Sequence, residues 1–188
     1  MPAALRDALP AYRDAFAELG VTSFEIPKVE ADDVIGTLAV KIARAGSQAV
    51  ILSTDKVFLQ LLSDKILVRD HFKQSYLDHA YVEQRFGVTP EKFVDFLALT
   101  GDNTNSIRGV PGIGPKTAAK LIEDFGSLDE ILAAAESAKS DDHAPVLSMK
   151  MRDRFVDYSE DARQAQSLVR LQTDLVLGLN LKALRYKL

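Results

Sequence analysis

Cysteine and tryptophan are both absent from the 188 residues, and histidine occurs only at His71, His79 and His143. Without thiols, disulfide staples and thiolate zinc sites are excluded. Three scattered histidines read as ordinary surface or core positions, not as an imidazole metal centre. No apolar run approaches the ~20 residues needed to span a bilayer, and the first residues do not read as a signal peptide. A membrane partner is therefore not expected. A strong excess of one charge is also missing, since 23 Lys and Arg face 27 Asp and Glu for a net charge of −4. Any polyanion would have to be held by a local basic patch set against acidic clusters elsewhere. What remains is ordinary globular material, 47% hydrophobic and 27% charged. The length suits one generous domain, or a domain with an appended lobe.

The first half alternates helix and strand patterns. Leu5, Leu9, Tyr12, Phe16 and Leu19 make an apolar stripe at helical spacing, closed by Gly20, with a regular helix expected to start at Pro10. A short extended stretch, Val21–Ile26, follows. A helix over 31–45 carries Val34, Ile35, Leu38 and Ile42 on its inner face. Ala49–Ser53 is a continuous apolar run of the kind seen in strands covered on both faces. A short helix over 57–62 and a strand over 66–69 complete a parallel α/β layer. From Asp78 onward the pattern is helical. Thr89-Pro-Glu91 starts a helix that reaches Gly101, another runs from Pro115 to Phe125, and Ser127 with Glu130 forms a capping box. Residues 138–145 read as flexible. Helix continues to Thr173, and Leu175–Leu184 is strand-like or irregular.

Gly109-Val-Pro-Gly-Ile-Gly-Pro-Lys-Thr117 packs three glycines and two prolines between two helical patterns. Such a stretch can be neither helix nor strand interior. It delivers bare backbone N–H groups to the start of the second helix, with Pro115 suited to the first helical position. Those amides, the helix dipole and Lys116 make a seat for phosphate. Between Asn103 and Lys120 the only charges are Arg108, Lys116 and Lys120, which makes the patch cationic. Gly112, Ile113, Gly114, Pro115, Lys116 and Thr117 are the candidate nucleic-acid contacts. A tight turn that merely joins two helices is the alternative.

Glu30, Asp32 and Asp33 crowd the start of the 31–45 helix, and Asp55 follows the strand end, where α/β folds place ligands. Carboxylates favour a helix N-terminus by about 0.3–1 kcal/mol each, so the acids have a structural explanation. Three of them together also repel unless a cation neutralises them. Hard oxygen donors point to Mg²⁺, with Mn²⁺ a substitute, rather than zinc.

Glu30-Ala-Asp-Asp-Val-Ile-Gly36, Ser53-Thr-Asp-Lys56, Gly101-Asp102 and Gly109–Lys116 occur in that order. In this the chain resembles the bacterial 5′-nucleases, the 5′→3′ exonuclease domain of DNA polymerase I and its flap-endonuclease relatives. The resemblance extends through Leu171-Gln-Thr-Asp-Leu175 and Leu181–Tyr186. It implies an α/β, parallel-sheet (PIN-like) nuclease layer over residues 1–88 and a helix-three-turn-helix DNA-binding subdomain over 89–188. It further implies catalytic Asp32 and Asp33, and Mg²⁺ held by Asp32, Glu30, Asp33 and Asp55. A K⁺ ion would bridge hairpin to phosphate through the carbonyls of Leu99, Thr100, Arg108, Val110 and Ile113. The expected substrate is DNA bearing a 5′ flap or 5′ end, acted on by a cytoplasmic bacterial monomer in replication or repair. Val57 and Asn105 stand where the family has aspartates, so a complete second metal site is not expected. The family also begins with another strand and a basic helical arch that this sequence lacks, so the chain reads as an amino-terminally truncated form. A DNA-structure-binding module without chemistry is the rival reading.

Overall fold

The apolar run that opens the sheet is covered on one face only. In the computed structural model, which describes residues 3–137 and 147–184, β1 (Ala49–Leu52) alternates, with Ala49 and Ile51 buried and Val50 and Leu52 exposed. β1 pairs in parallel with β2 (Ile66–Asp70), from Ala49 opposite Ile66 to Leu52 opposite Arg69. A third strand, β3 (Ser75–Leu77), runs antiparallel to β2 and closes the order β1-β2-β3. β3 is too short to leave a periodic signature. It is set by the turn before it, in which Asp70 Oδ1 accepts the Lys73 N–H at 3.1 Å and Gln74 takes φ 53°.

The stripe predicted at the amino end is present on α1 (Ala3–Glu18), but no residue of that helix is buried. Pro10 lies inside the helix and does not start it. Its fixed φ is helical, so the ring costs one backbone hydrogen bond without ending the run. Val21–Ile26 joins no strand. On α2 (Ala31–Arg44) the inner face is rotated from the expected one: Val34, Gly36, Thr37 and Ala39 are buried and Ile35 is exposed. Gly36 explains the rotation. A β-carbon there would sit 3.4 Å from Leu61, 3.6 Å from Thr173 and 3.7 Å from Leu171, because the returning chain packs against the bare backbone.

The second half is helical and holds most of the core. After α3 (His79–Phe86), a 3₁₀ turn over Pro90–Lys92 leads into α4 (Phe93–Thr100), in which Phe93 through Leu99 are all buried. Phe93 packs on Phe86 and Phe96 at ring separations of 4.9 and 5.8 Å. α4 is covered by α5 (Pro115–Phe125), α6 (Leu128–Glu136), and α8 (Ser159–Val169), while α7 (Met149–Asp157) lies on α6. Ser127 caps α6 as its spacing predicts, accepting the Glu130 N–H at 3.3 Å and donating to the Glu130 carboxylate at 2.8 Å. The stretch expected to be flexible, with His143, lies outside the described residues.

α8 ends at Val169, four residues short of the helix expected to reach Thr173. The chain is drawn away by distant partners. Gln60 donates to the Val169 carbonyl at 2.9 Å and accepts the Leu171 N–H at 3.1 Å. Asp33 Oδ1 accepts the Gln172 N–H at 2.9 Å, and Thr37 donates to the Gln172 carbonyl at 3.1 Å. These bonds seat the return segment on α2 and tie the helical half to the sheet.

Candidate nucleic-acid interface and metal site

The acids of the α2 start differ in what already occupies them. Glu30 is the N-cap residue, with extended backbone (φ −69°, ψ 142°) and no side-chain capping bond. Asp33 spends one oxygen on Gln172, and Asp55 Oδ1 caps the 3₁₀ helix Lys56–Leu61 by accepting the Val57 N–H at 2.9 Å. Asp32 has no hydrogen-bond or ion-pair partner among the described residues. Burial first, then the charges of Asp55, Glu30 and Asp33, hold its carboxyl above the ordinary 3.8. Asp32 therefore feels the other three acids across the gap between α2 and the end of β1. No three acidic or histidine groups converge on one ligand point among the described residues. A hard divalent cation keeps several waters and needs only one or two carboxylates, so Asp32, whose oxygens have no partner among the described residues, is the acid best placed to serve one.

The loop between α4 and α5 is built on backbone contact. Asp102 and Ile107 exchange N–H to O=C bonds of 2.8 and 2.9 Å; Val110 donates to Leu99 at 2.9 Å and Ile113 to Val110 at 3.1 Å. Gly101 and Gly109 meet so closely that a β-carbon on Gly109 would run into the Gly101 nitrogen and the Leu99 carbonyl. Val110 and Ile113 anchor the loop in the core. Gly112, Gly114, Pro115 and Lys116 are left exposed and Thr117 half-buried, with Pro115 at the first helical position as predicted. Of the five carbonyls named for K⁺, those of Leu99 and Val110 each accept one bond. Those of Thr100, Arg108 and Ile113 accept none among the described residues.

Charge around the loop is less uniform than the sequence implied. Lys120 is neutralised by Asp124 at 2.7 Å and Glu123 at 3.2 Å, whereas Arg108 and Lys116 make no ion pair among the described residues. Asp102, whose side chain is fully buried, is held by Lys56 Nζ at 3.1 Å, by Asn105 Nδ2 at 2.9 Å and by the Thr104 N–H at 3.1 Å. Burial pushes the Asp102 carboxyl up, but the Lys56 and Asn105 bonds and the lysine charge outweigh it and leave it below 3.8. Sequence reasoning missed Lys56 as the tie between the two motifs, although it stands in the quoted Ser53–Lys56 run. It missed Gln60 altogether, since a lone glutamine inside a short apolar helix carries no signal.

The acidic run and the first part of the loop open on one cleft of about 1090 Å³, which Asp55 and the predicted contacts Gly112 to Thr117 do not line. Glu30, Asp32 and Asp33 line one side, Arg108, Gly109 and Pro111 another, and the return segment from Arg170 to Gln172 a third. Residues 1–87 match the profile of the 5′-3′ exonuclease N-terminal resolvase-like domain, and residues 88–188 that of the 5′-3′ exonuclease C-terminal SAM fold. The chain belongs to the 5′-3′ exonuclease family. Flap endonuclease Xni of Aeromonas salmonicida (strain A449) is 47% identical over 186 residues, 99% of this chain and 67% of that protein. The T5 5′-exonuclease with divalent zinc ions bound superposes with a TM-score of 0.73 at 26% identity, over 90% of this chain and 61% of that one. A bacteriophage T5 flap endonuclease in a pseudo-enzyme-product complex with DNA and metal ions gives 0.71 at 26% identity, over 90% and 58%. This member of the 5′-3′ exonuclease family thus spans about two thirds of the length of its relatives. Its expected nuclease fold, an α/β layer with a helical lobe, is the fold observed.

Proposed function

We propose that this chain carries a Mg²⁺-dependent, structure-specific 5′ nuclease that hydrolyses phosphodiester bonds in DNA with a 5′ flap or 5′ end, in bacterial replication or repair. The observation that carries the reading is the shared cleft, with Glu30, Asp32 and Asp33 on one side and the loop residues Arg108, Gly109 and Pro111 on another. Similarity to flap endonuclease Xni over nearly the whole chain supports it. In this reading Glu30, Asp32, Asp33 and Asp55 hold a divalent cation, Mg²⁺ or Mn²⁺. When bound, that cation would polarise the scissile phosphate and acidify the attacking water. The remaining work falls to the chain itself. Gly112 to Thr117 clasp the duplex backbone through main-chain amides and the Lys116 ammonium. K⁺ joins them through the carbonyls of Leu99, Thr100, Arg108, Val110 and Ile113, and the three that accept no bond support that role. Residues 1–88 act as the metal-binding layer and 89–188 as the DNA-binding subdomain, in a cytoplasmic monomer.

A second reading, a DNA-structure-binding module without chemistry, is favoured by two features. No three acids converge among the described residues, and Asp102 is claimed by Lys56. A labelled 5′-flap duplex incubated with Mg²⁺ or chelator, beside Asp32→Ala, separates them. Cation-dependent cleavage abolished in the variant establishes the nuclease. Retention of the duplex without cleavage, indifferent to chelator, establishes the binder.

A further inference from the structure

The hairpin has a cationic neighbour that comes from a different helix. Arg154 lies on α7, and its guanidinium covers Gly112. A β-carbon added to that glycine would sit 2.8 Å from Nη1, 3.1 Å from Cζ and 3.3 Å from Nη2. Gly112 has φ +75°, so the turn and the bare backbone together admit the planar group. Met151, one turn earlier on α7, lines with Leu147 a groove against Lys116 and Thr117, which places this face of α7 beside the first turn of α5. Three other arginines have partners, Arg13 in Glu25, Arg163 in Asp129 and Arg69 in the Tyr76 ring, whereas Arg108 on the loop itself has no ion pair among the described residues. The Arg154 side chain makes no hydrogen bond or ion pair among the described residues, although Asp153 and Asp157 flank it on its own helix. A half-buried guanidinium with five donors and no acceptor is poorly served by packing alone.

We infer that Arg154, seated on Gly112, is a second phosphate grip of the hairpin. It takes one phosphodiester of the DNA strand in bidentate fashion beside the phosphate held by the start of α5. The inference rests on the DNA-binding reading above. It adds a contact from α7, which the loop motif does not predict. Fork-shaped donors match two phosphate oxygens, and the contact reads backbone, not base. The rival role is a cover for the glycine turn.

The test uses the full chain and a labelled 5′-flap duplex in Ca²⁺, with equilibrium binding measured from 50 to 250 mM KCl and thermal midpoints recorded in parallel. Arg154→Gln is expected to weaken binding three- to tenfold near 100 mM salt and lower the log–log salt slope by about one unit. Its midpoint stays within about 1 °C of the unaltered chain, and Arg154→Lys keeps the slope. Lys116→Ala serves as the internal control, with its own loss of about one unit. An unchanged slope in Arg154→Gln, beside a lowered one in Lys116→Ala, overturns the inference and leaves the DNA-binding reading intact. So does a fall of several degrees in the midpoint with the slope retained, which would make Arg154 a cover only. An unaltered chain that fails to retain the duplex overturns both.

Discussion

Lys56 ion-pairs the strand-end motif to the hairpin loop through Asp102, and replacing it with methionine tests how that junction is held. Asp102 is fully buried, and Lys56 is only 32% exposed. Removing one partner of a buried pair costs about 3–5 kcal/mol because the other charge stays desolvated. Two facts reduce that figure. Asp102 keeps its bonds from Asn105 and Thr104, and the lysine is partly hydrated, so about 2–3 kcal/mol is expected at pH 7. For a chain of this size the thermal midpoint should fall by roughly 4–12 °C. The loss should also depend on pH. The folded Asp102 carboxyl lies below 3.8, so its contribution is complete above that value and fades as pH falls through the lower folded value. Without Lys56 two of the contributions that lower the carboxyl are lost while burial still raises it, so the folded value moves up and the variant forfeits that stability at neutral pH but not in acid. The gap between the two proteins should therefore shrink from pH 7 to about pH 3.5. Thermal scans across that range measure it. A gap that is absent at pH 7, or equal at both ends, would refute the argument that a desolvated carboxylate governs this junction.

Three further outcomes follow from the geometry. Gly112→Ala forces a side chain into φ +75° and onto the Arg154 guanidinium, at about 1–2 kcal/mol; calorimetry should show the loss, and flap-duplex binding should weaken with it. Gln60→Ala removes bonds to the Val57 and Val169 carbonyls and the Leu171 N–H, costing about 2 kcal/mol, and hydrogen exchange should show faster opening over 170–173. Asp32→Asn should raise the midpoint slightly in chelator at pH 7, since a carboxyl held above 3.8 destabilises the fold at neutral pH and ceases to do so in acid. With millimolar Mg²⁺ the order should reverse, because only the unaltered cluster gains a cation; stabilisation equal in both proteins would count against Asp32 as a ligand.

The hairpin and the acids were legible in the sequence for a shared reason. Gly109, Gly112 and Pro115 each answer a local backbone demand, and Glu30, Asp32 and Asp33 form one crowded run, so a window of ten residues contains the whole signal. β1 was legible as a strand but not as a half-exposed one. Its alternation appears only in burial, and Val50 and Leu52 are as apolar as the buried Ala49 and Ile51. The end of α8 was illegible because its causes lie more than 100 residues away, at Gln60, Asp33 and Thr37. Those same bonds frame the cleft. Asp33 holds the Gln172 amide, Gln60 holds Val169 and Leu171, and Lys56 holds Asp102, so polar side chains from the sheet half reach into the helical half around the rim of one cleft. The frame between the acids and the loop is thus fixed by these hydrogen bonds as well as by an apolar core that includes Val57 and Val169, with Leu171 packed against it. Such a frame is sensitive to the loss of a single donor, which is why the changes at Lys56 and Gln60 should affect the grip on DNA as well as the melting point.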